Sequence, residues 1–171
     1  KKHSWIDDEM KSIRRDFLPD ELAQVYKENE ITGSVVVEAD QAESETAFLL
    51  SLAKQHPFIK GVVGFVDLKA DNIHERLEYF SQFNRLKGFR AVLQSQDPSY
   101  MLQPSFMRGI GLLKKYGFTY DVLVFPKHLA AVKELVQKNP DQSFVIDHLA
   151  KPYIKAGEIE AWAKDMRELA Q

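Results

Sequence analysis

A chain of 171 residues, 44% hydrophobic and without cysteine, has material for one well-buried domain but none for disulfides, thiolate zinc sites or a cysteine nucleophile. Its formal net charge of −2, with acids and bases interspersed, supplies neither a basic face for nucleic acid nor an attraction to anionic membranes. No apolar run reaches the length of a membrane span, and the start Lys1-Lys2-His3-Ser4-Trp5 lacks the apolar core of a signal peptide, so a soluble, cytoplasmic protein is expected.

The elements alternate along the chain. Leu22, Val25 and Tyr26 share one face of a first helix, for which Pro19 and Asp20 are a suitable start. A first strand is read at Ser34 to Ala39. Phe48, Leu49, Leu52 and Ala53 then line a helix opened by Ser44 and closed before Pro57. Val62 to Leu68 is the second strand, and Ile73, Leu77 and Phe80 mark the next helix, with Asp71 as its N-cap. Gly88 to Leu93 is the third strand. Phe106, Ile110, Leu113 and Tyr116 follow on a helix that stops at Gly117. The fourth strand is Tyr120 to Phe125, and the helix of Leu129, Val132, Leu135 and Val136 ends before Pro140. Phe144 to Leu149 is the fifth strand, and a last helical stripe runs through Ile159, Trp162, Ala163, Met166 and Leu169. Short β-branched runs separated by helical stripes predict an α/β fold of βαβ units with a parallel sheet.

Two architectures fit five such strands. One is an open α/β sheet; the other is part of an eight-stranded barrel, which takes about 250 residues when complete. A glycine-rich phosphate fingerprint is absent, which disfavours a nucleotide-binding open sheet.

Chemistry in parallel sheets collects where the strands end. The ends carry Glu38 and Asp40, then Asp67, then Arg90 and Gln94, then Lys127 and His128, and finally Asp147, His148 and Lys151. The segment Phe144-Val145-Ile146-Asp147-His148-Leu149-Ala150-Lys151-Pro152 is the most informative, because an apolar run breaks off into an acid, an imidazole and an ammonium. On a strand, Asp147 and His148 point to opposite faces. His148 is the residue whose charge changes nearest neutral pH, and Arg90 is a guanidinium inside an apolar run that needs an acid or an anionic ligand. Asp121, near the start of its run, is expected to lie away from this end and to serve a neighbouring loop. A His, Arg, Lys and carboxylate set suits attack of water on a carbonyl; a ring of ion pairs would give the same pattern. His3, His56 and His74 carry no such company, and no two histidines have metal-ligand spacing.

Five strings, Arg15-Asp16-Phe17-Leu18-Pro19-Asp20-Glu21-Leu22, Gly61-Val62-Val63-Gly64-Phe65-Val66-Asp67-Leu68, Leu86-Lys87-Gly88-Phe89-Arg90, Tyr120-Asp121-Val122-Leu123-Val124-Phe125 and Ile146-Asp147-His148-Leu149-Ala150-Lys151-Pro152, resemble the sugar-lactonase branch of the amidohydrolase superfamily. The likeness is to L-fuconolactonase-like and 2-pyrone-4,6-dicarboxylate lactonase-like proteins, in order and through essentially the whole chain. It implies a parallel (β/α) TIM barrel of the amidohydrolase type, of which about five of eight βα units lie in residues 1–171 as a single domain. It also implies hydrolysis of a sugar-acid lactone, with His148 and Arg90 catalytic and with Lys151 and Asp147 beside them to bind substrate; Glu38, Gln94 and Asp67, from the other strand ends, are expected to bind substrate with them. Some members hold a divalent metal such as zinc and others none; His148 is the ligand this chain would offer.

The departures are specific. Members of this branch carry a first strand ending in His-x-His and two last strands, one with a Gly-Ser-Asp-Trp-Pro string, and none of these occurs in the sequence. Ala91 stands where the branch has His, Ala150 where it has Gly, Phe65 where it has Trp, and Glu38 where it has Gln. Two readings follow: a lactonase completed by further segments, or a non-catalytic barrel piece that binds a sugar acid or assembles with a partner chain. Association into a homo-oligomer is open under either.

Overall fold

The computed structural model describes residues 6–170; the start Lys1 to Trp5, read above for its composition, lies outside them. In chain order the regular elements are α1 (Pro19–Glu28), β1 (Ser34–Val37), α2 (Glu43–Gln55), β2 (Ile59–Gly64), α3 (Ile73–Ser81), β3 (Leu86–Val92), α4 (Pro104–Leu113), β4 (Thr119–Leu123), α5 (Leu129–Lys138), β5 (Phe144–Ile146) and α6 (Glu160–Leu169). The five strands form one sheet in the order β1-β2-β3-β4-β5, and every pairing is parallel. This is the half-barrel alternative, with helices on the outer face and, among the described residues, β1 and β5 as its edge strands. Among the described residues no helix is long and apolar enough to cross a membrane.

The outer face of the sheet makes the core. Val62 on β2, Phe89 on β3 and Tyr120 and Val122 on β4 are buried against Leu77, Phe80, Phe106, Ile110, Leu113, Leu129 and Leu135 of the helices. Each such side chain contributes about 1.5–3 kcal/mol on full burial. Phe89 joins two layers through edge-to-face contacts with Phe80 and Phe118. Helix α1 buries none of its residues, and Leu22 and Val25 remain exposed beside Val35 of β1.

Pro19 at the start of α1 and the left-handed Gly117 (φ 71°) after α4 behave as their residue types predict. Other boundaries move. Ser44 lies inside the first turn of α2, whose N-cap is Ala42. Asp71 is displaced by Asn72 as the N-cap of α3. Strand β2 begins earlier than its apolar run, because Ile59 and Gly61 pair with Ser34 and Val35 of β1.

The largest correction is at β5, which ends at Ile146 rather than Leu149. His148, Leu149, Ala150 and Lys151 have φ of 50°, 53°, 56° and 51°, a complete left-handed turn without glycine. Asp147 and His148 therefore do not alternate across a strand. Left-handed backbone costs non-glycine residues about 1–2 kcal/mol each. The turn is retained by what surrounds it: Ala150 is fully buried and the Trp162 indole N–H donates to the Leu149 carbonyl at 2.7 Å.

Candidate active site

Side chains that follow the strands lock the carboxyl-terminal end of the sheet. Thr46 of α2 is buried, and its hydroxyl donates to the Phe65 carbonyl at 2.9 Å while accepting the Phe65 N–H at 2.8 Å, which fixes the end of β2. Gly64 permits this approach, since a Cβ there would stand 2.5 Å from Thr46. The Gln41 side-chain carbonyl accepts the Val92 N–H at 2.9 Å and holds the end of β3. His128 is fully buried between Phe125 and Gln96; Nδ1 accepts the Phe125 N–H at 3.2 Å, which leaves Nε2–H to donate to the Gln96 carbonyl at 3.1 Å.

On this frame Arg90 of β3 reaches across the inner face. Its Nε donates to Glu38 Oε1 at 2.8 Å and its Nη1 to Asp147 Oδ2 at 2.8 Å, while Nη2 bonds the Glu38 backbone carbonyl. One guanidinium thus ties the ends of β1 and β5, the two edge strands. Three of its five N–H donors are used and two remain. Glu38 is fully buried, and its second oxygen, Oε2, has no hydrogen-bond partner among the described residues. Burial pushes the Glu38 carboxyl above its ordinary value, and the bond and charge of Arg90 offset part of that rise.

Asp121 belongs to this cluster, contrary to the expectation that it lies away from this end and serves a neighbouring loop. Strand β4 begins at Thr119, so Asp121 is inside it, directly opposite Arg90 in the β3–β4 register and buried. Its carboxyl is pushed up to about 6, first by burial and then by the Asp147 charge; the Thr119 hydroxyl at 3.4 Å and the Arg90 charge pull the other way. An acid within an apolar run, opposite an arginine in the next run, was the available signal, but its use required the register.

The other expected residues scatter around this centre. His148 is exposed on the left-handed turn beside Asp147. Lys151 closes the same turn, with its ammonium 5.7 Å over the Phe125 ring. Gln94 follows β3, and its amide nitrogen is buried without a partner among the described residues. Asp67 is exposed past β2, accepts the Lys69 N–H at 2.9 Å, and lines a cavity with Gln41, Ala91 and Tyr100. Gln41 and Tyr100 had no distinguishing mark in the sequence.

Comparison with known proteins places this geometry. A family model described as amidohydrolase matches residues 8–171. An L-fucono-1,5-lactonase of Burkholderia ambifaria is 32% identical over 167 residues, covering 97% of this chain and 58% of the relative. An L-fucono-1,5-lactonase of Burkholderia multivorans is 33% identical over 175 residues, with 98% and 59% covered. A crystal structure of an amidohydrolase from Burkholderia multivorans with bound zinc superposes with a TM-score of 0.92 at 33% identity, over 99% of this chain and 61% of that one. The chain therefore spans about three fifths of the length of the relatives it matches.

The zinc in that neighbour invites a fit test. Among the described residues no group of three or more His, Asp or Glu side chains could hold a metal ion. Asp147 is turned to Arg90, and His148 alone supplies one ligand where a zinc site takes three or four. Residues 6–170 do not by themselves fit the metal.

Proposed function

Because the chain belongs to the amidohydrolase family, we propose that it forms the greater part of a barrel that hydrolyses the ester bond of a sugar-acid lactone related to L-fuconolactone. The observation that carries this reading is Glu38. A fully buried carboxylate oxygen without a donor is costly, and a ligand hydroxyl would relieve the cost. Such hydroxyls are what a sugar lactone brings and a simple ester lacks. The two relatives named L-fucono-1,5-lactonase support the same substrate class.

In this proposal a ring hydroxyl donates to Glu38 Oε2, and the two remaining Arg90 N–H groups polarise the lactone carbonyl. Asp147 and Glu38 together overbalance the Arg90 charge, so the guanidinium orients the carbonyl through directed hydrogen bonds more than through net charge. His148, accessible beside Asp147, takes a proton from the attacking water. As the ring C–O bond breaks, that proton returns to the alkoxide, and a hydroxy acid results. Lys151 faces the new carboxylate, and Gln94 and Asp67 contact the remaining polar groups of the ring. A single barrel domain, completed by strands beyond β1 and β5, is part of the same proposal.

The test is turnover and binding by the full-length protein. L-Fucono-1,5-lactone should be hydrolysed, and Glu38→Gln should weaken its binding because the amide replaces an acceptor. Unchanged binding by the variant would remove Glu38 from the site, and no hydrolysis of any sugar lactone would overturn the reading.

A further inference from the structure

We propose that the cavity between the ends of β2 and β3 is the specificity subsite of this site and takes the hydroxyl-bearing carbons of the sugar acid. The inference rests on the lactonase reading and adds to it which part of the ligand is recognised, and by what.

The cavity has a volume of about 330 Å³ and is lined by Gln41, Phe65, Asp67, Ala91, Tyr100 and Phe106 among others. It neighbours the Arg90 cluster through two of its lining residues: Gln41, three residues past Glu38, accepts the N–H of Val92, two residues past Arg90 on β3, at 2.9 Å. With the lactone carbonyl at Arg90, this neighbouring space is where we place the hydroxyl-bearing carbons.

The lining has the chemistry of hydroxyl recognition. Asp67 supplies a carboxylate acceptor at the rim. Tyr100 supplies a hydroxyl that both donates and accepts; burial first and the Asp67 charge second raise its pKa, so it keeps its proton at neutral pH. The Tyr100 ring is fixed by an edge-to-face contact with Phe106 and by the Lys69 ammonium 4.6 Å away, itself held by Gln103 at 2.7 Å. The Gln41 side-chain carbonyl is committed to Val92, so its NH2 is the end left to donate. Phe65 and Phe106 give the apolar surface against which the C–H face of a sugar chain packs. One acceptor, one fixed donor and one group of both kinds, set among aromatic rings, form a compact polar constellation in an apolar pocket.

Ala91 keeps the space open. It lines the cavity with no more than a methyl, and a bulkier residue in that wall is expected to take up part of the volume.

The experiment titrates the full-length protein with L-fuconate and with hexanoate, a six-carbon acid without hydroxyls, and follows L-fucono-1,5-lactone hydrolysis in parallel. Wild type should prefer L-fuconate. Tyr100→Phe and Asp67→Asn should each weaken L-fuconate binding about fivefold or more while leaving hexanoate within about twofold, as expected when a hydroxyl loses its partner. Ala91→Leu should weaken L-fuconate at least about tenfold through lost space. Tyr100→Phe guards against misfolding, since it removes one oxygen and keeps the ring. If wild type turns over the lactone and none of the three variants changes L-fuconate binding, the cavity is not the subsite and the lactonase reading stands. If the three variants weaken both acids equally, hydroxyl recognition is overturned. If wild type neither hydrolyses the lactone nor binds L-fuconate, the lactonase reading falls, and this inference with it.

Discussion

Arg90 and Asp121 face each other in the register of β3 and β4, yet the guanidinium makes its ion pairs with Glu38 and Asp147 at the two edge strands. The acid nearest in register is thus left with a 3.4 Å contact to Thr119, in the field of a second carboxylate. Arg90 closes the curve of the sheet, and Asp121 carries the electrostatic cost.

That cost is measurable as a pH dependence. The folded-state pKa of Asp121 lies near 6, above its ordinary value of 3.8, so the folded protein binds this proton more tightly than the unfolded chain. The contribution to stability is present below pH 4 and is lost as pH rises through 6. Asp121→Asn should therefore be more stable than wild type at pH 7 by about 2–3 kcal/mol, with the gap closing at pH 4. Urea denaturation at the two pH values checks this; a variant less stable than wild type at pH 7 contradicts it.

Removing the other half of the relationship acts in the opposite direction. Arg90→Met leaves Glu38 fully buried with no counter-charge and unties β1 from β5. A loss of about 3–5 kcal/mol is expected. Combining it with Glu38→Met should cost clearly less than the two single changes together, because the buried charge is then gone as well. Additive losses in a double-mutant cycle would show that the pair does not act as a unit.

The turn after β5 predicts a gain. Leu149 has φ 53° and is 59% exposed, so its side chain strains the backbone without filling the core. Leu149→Gly should raise stability by up to about 1 kcal/mol, the relief of left-handed strain less the entropy of a freer unfolded chain. The Trp162 bond to its carbonyl is unaffected by the change. A lower melting temperature would mean that Leu149 packs against something in solution.

His148 is separable from stability. It is exposed and lies within the same turn, so His148→Asn should leave the denaturation midpoint within about 0.5 kcal/mol of wild type. In the full-length protein it should abolish lactone hydrolysis. Near-full activity would remove the imidazole from the proposed proton transfer.

The pattern of apolar residues alone determined the alternation of strands and helices, the parallel sheet, and the residues that cluster at strand ends. Val62, Phe89 and Val122 announced their burial by being apolar at strand spacing, since burial of such side chains is a local preference summed along the chain. The five strings were likewise legible, as was the need of Arg90 for an acid. Which acid was not. Glu38 and Asp147 are 52 and 57 residues from Arg90, and only the curve of the sheet brings both within 2.8 Å while leaving Asp121, its register neighbour, to other company. The left-handed turn was equally hidden, because four non-glycine residues with φ near 50° contradict every local preference and persist only through Ala150, Trp162 and the packing around them. The same holds for the cavity of Asp67, Tyr100 and Gln41, whose members come from three separate segments of the chain. Local chemistry sets what each residue prefers; long-range contacts decide which of those preferences are overruled, and here they are overruled at the candidate site.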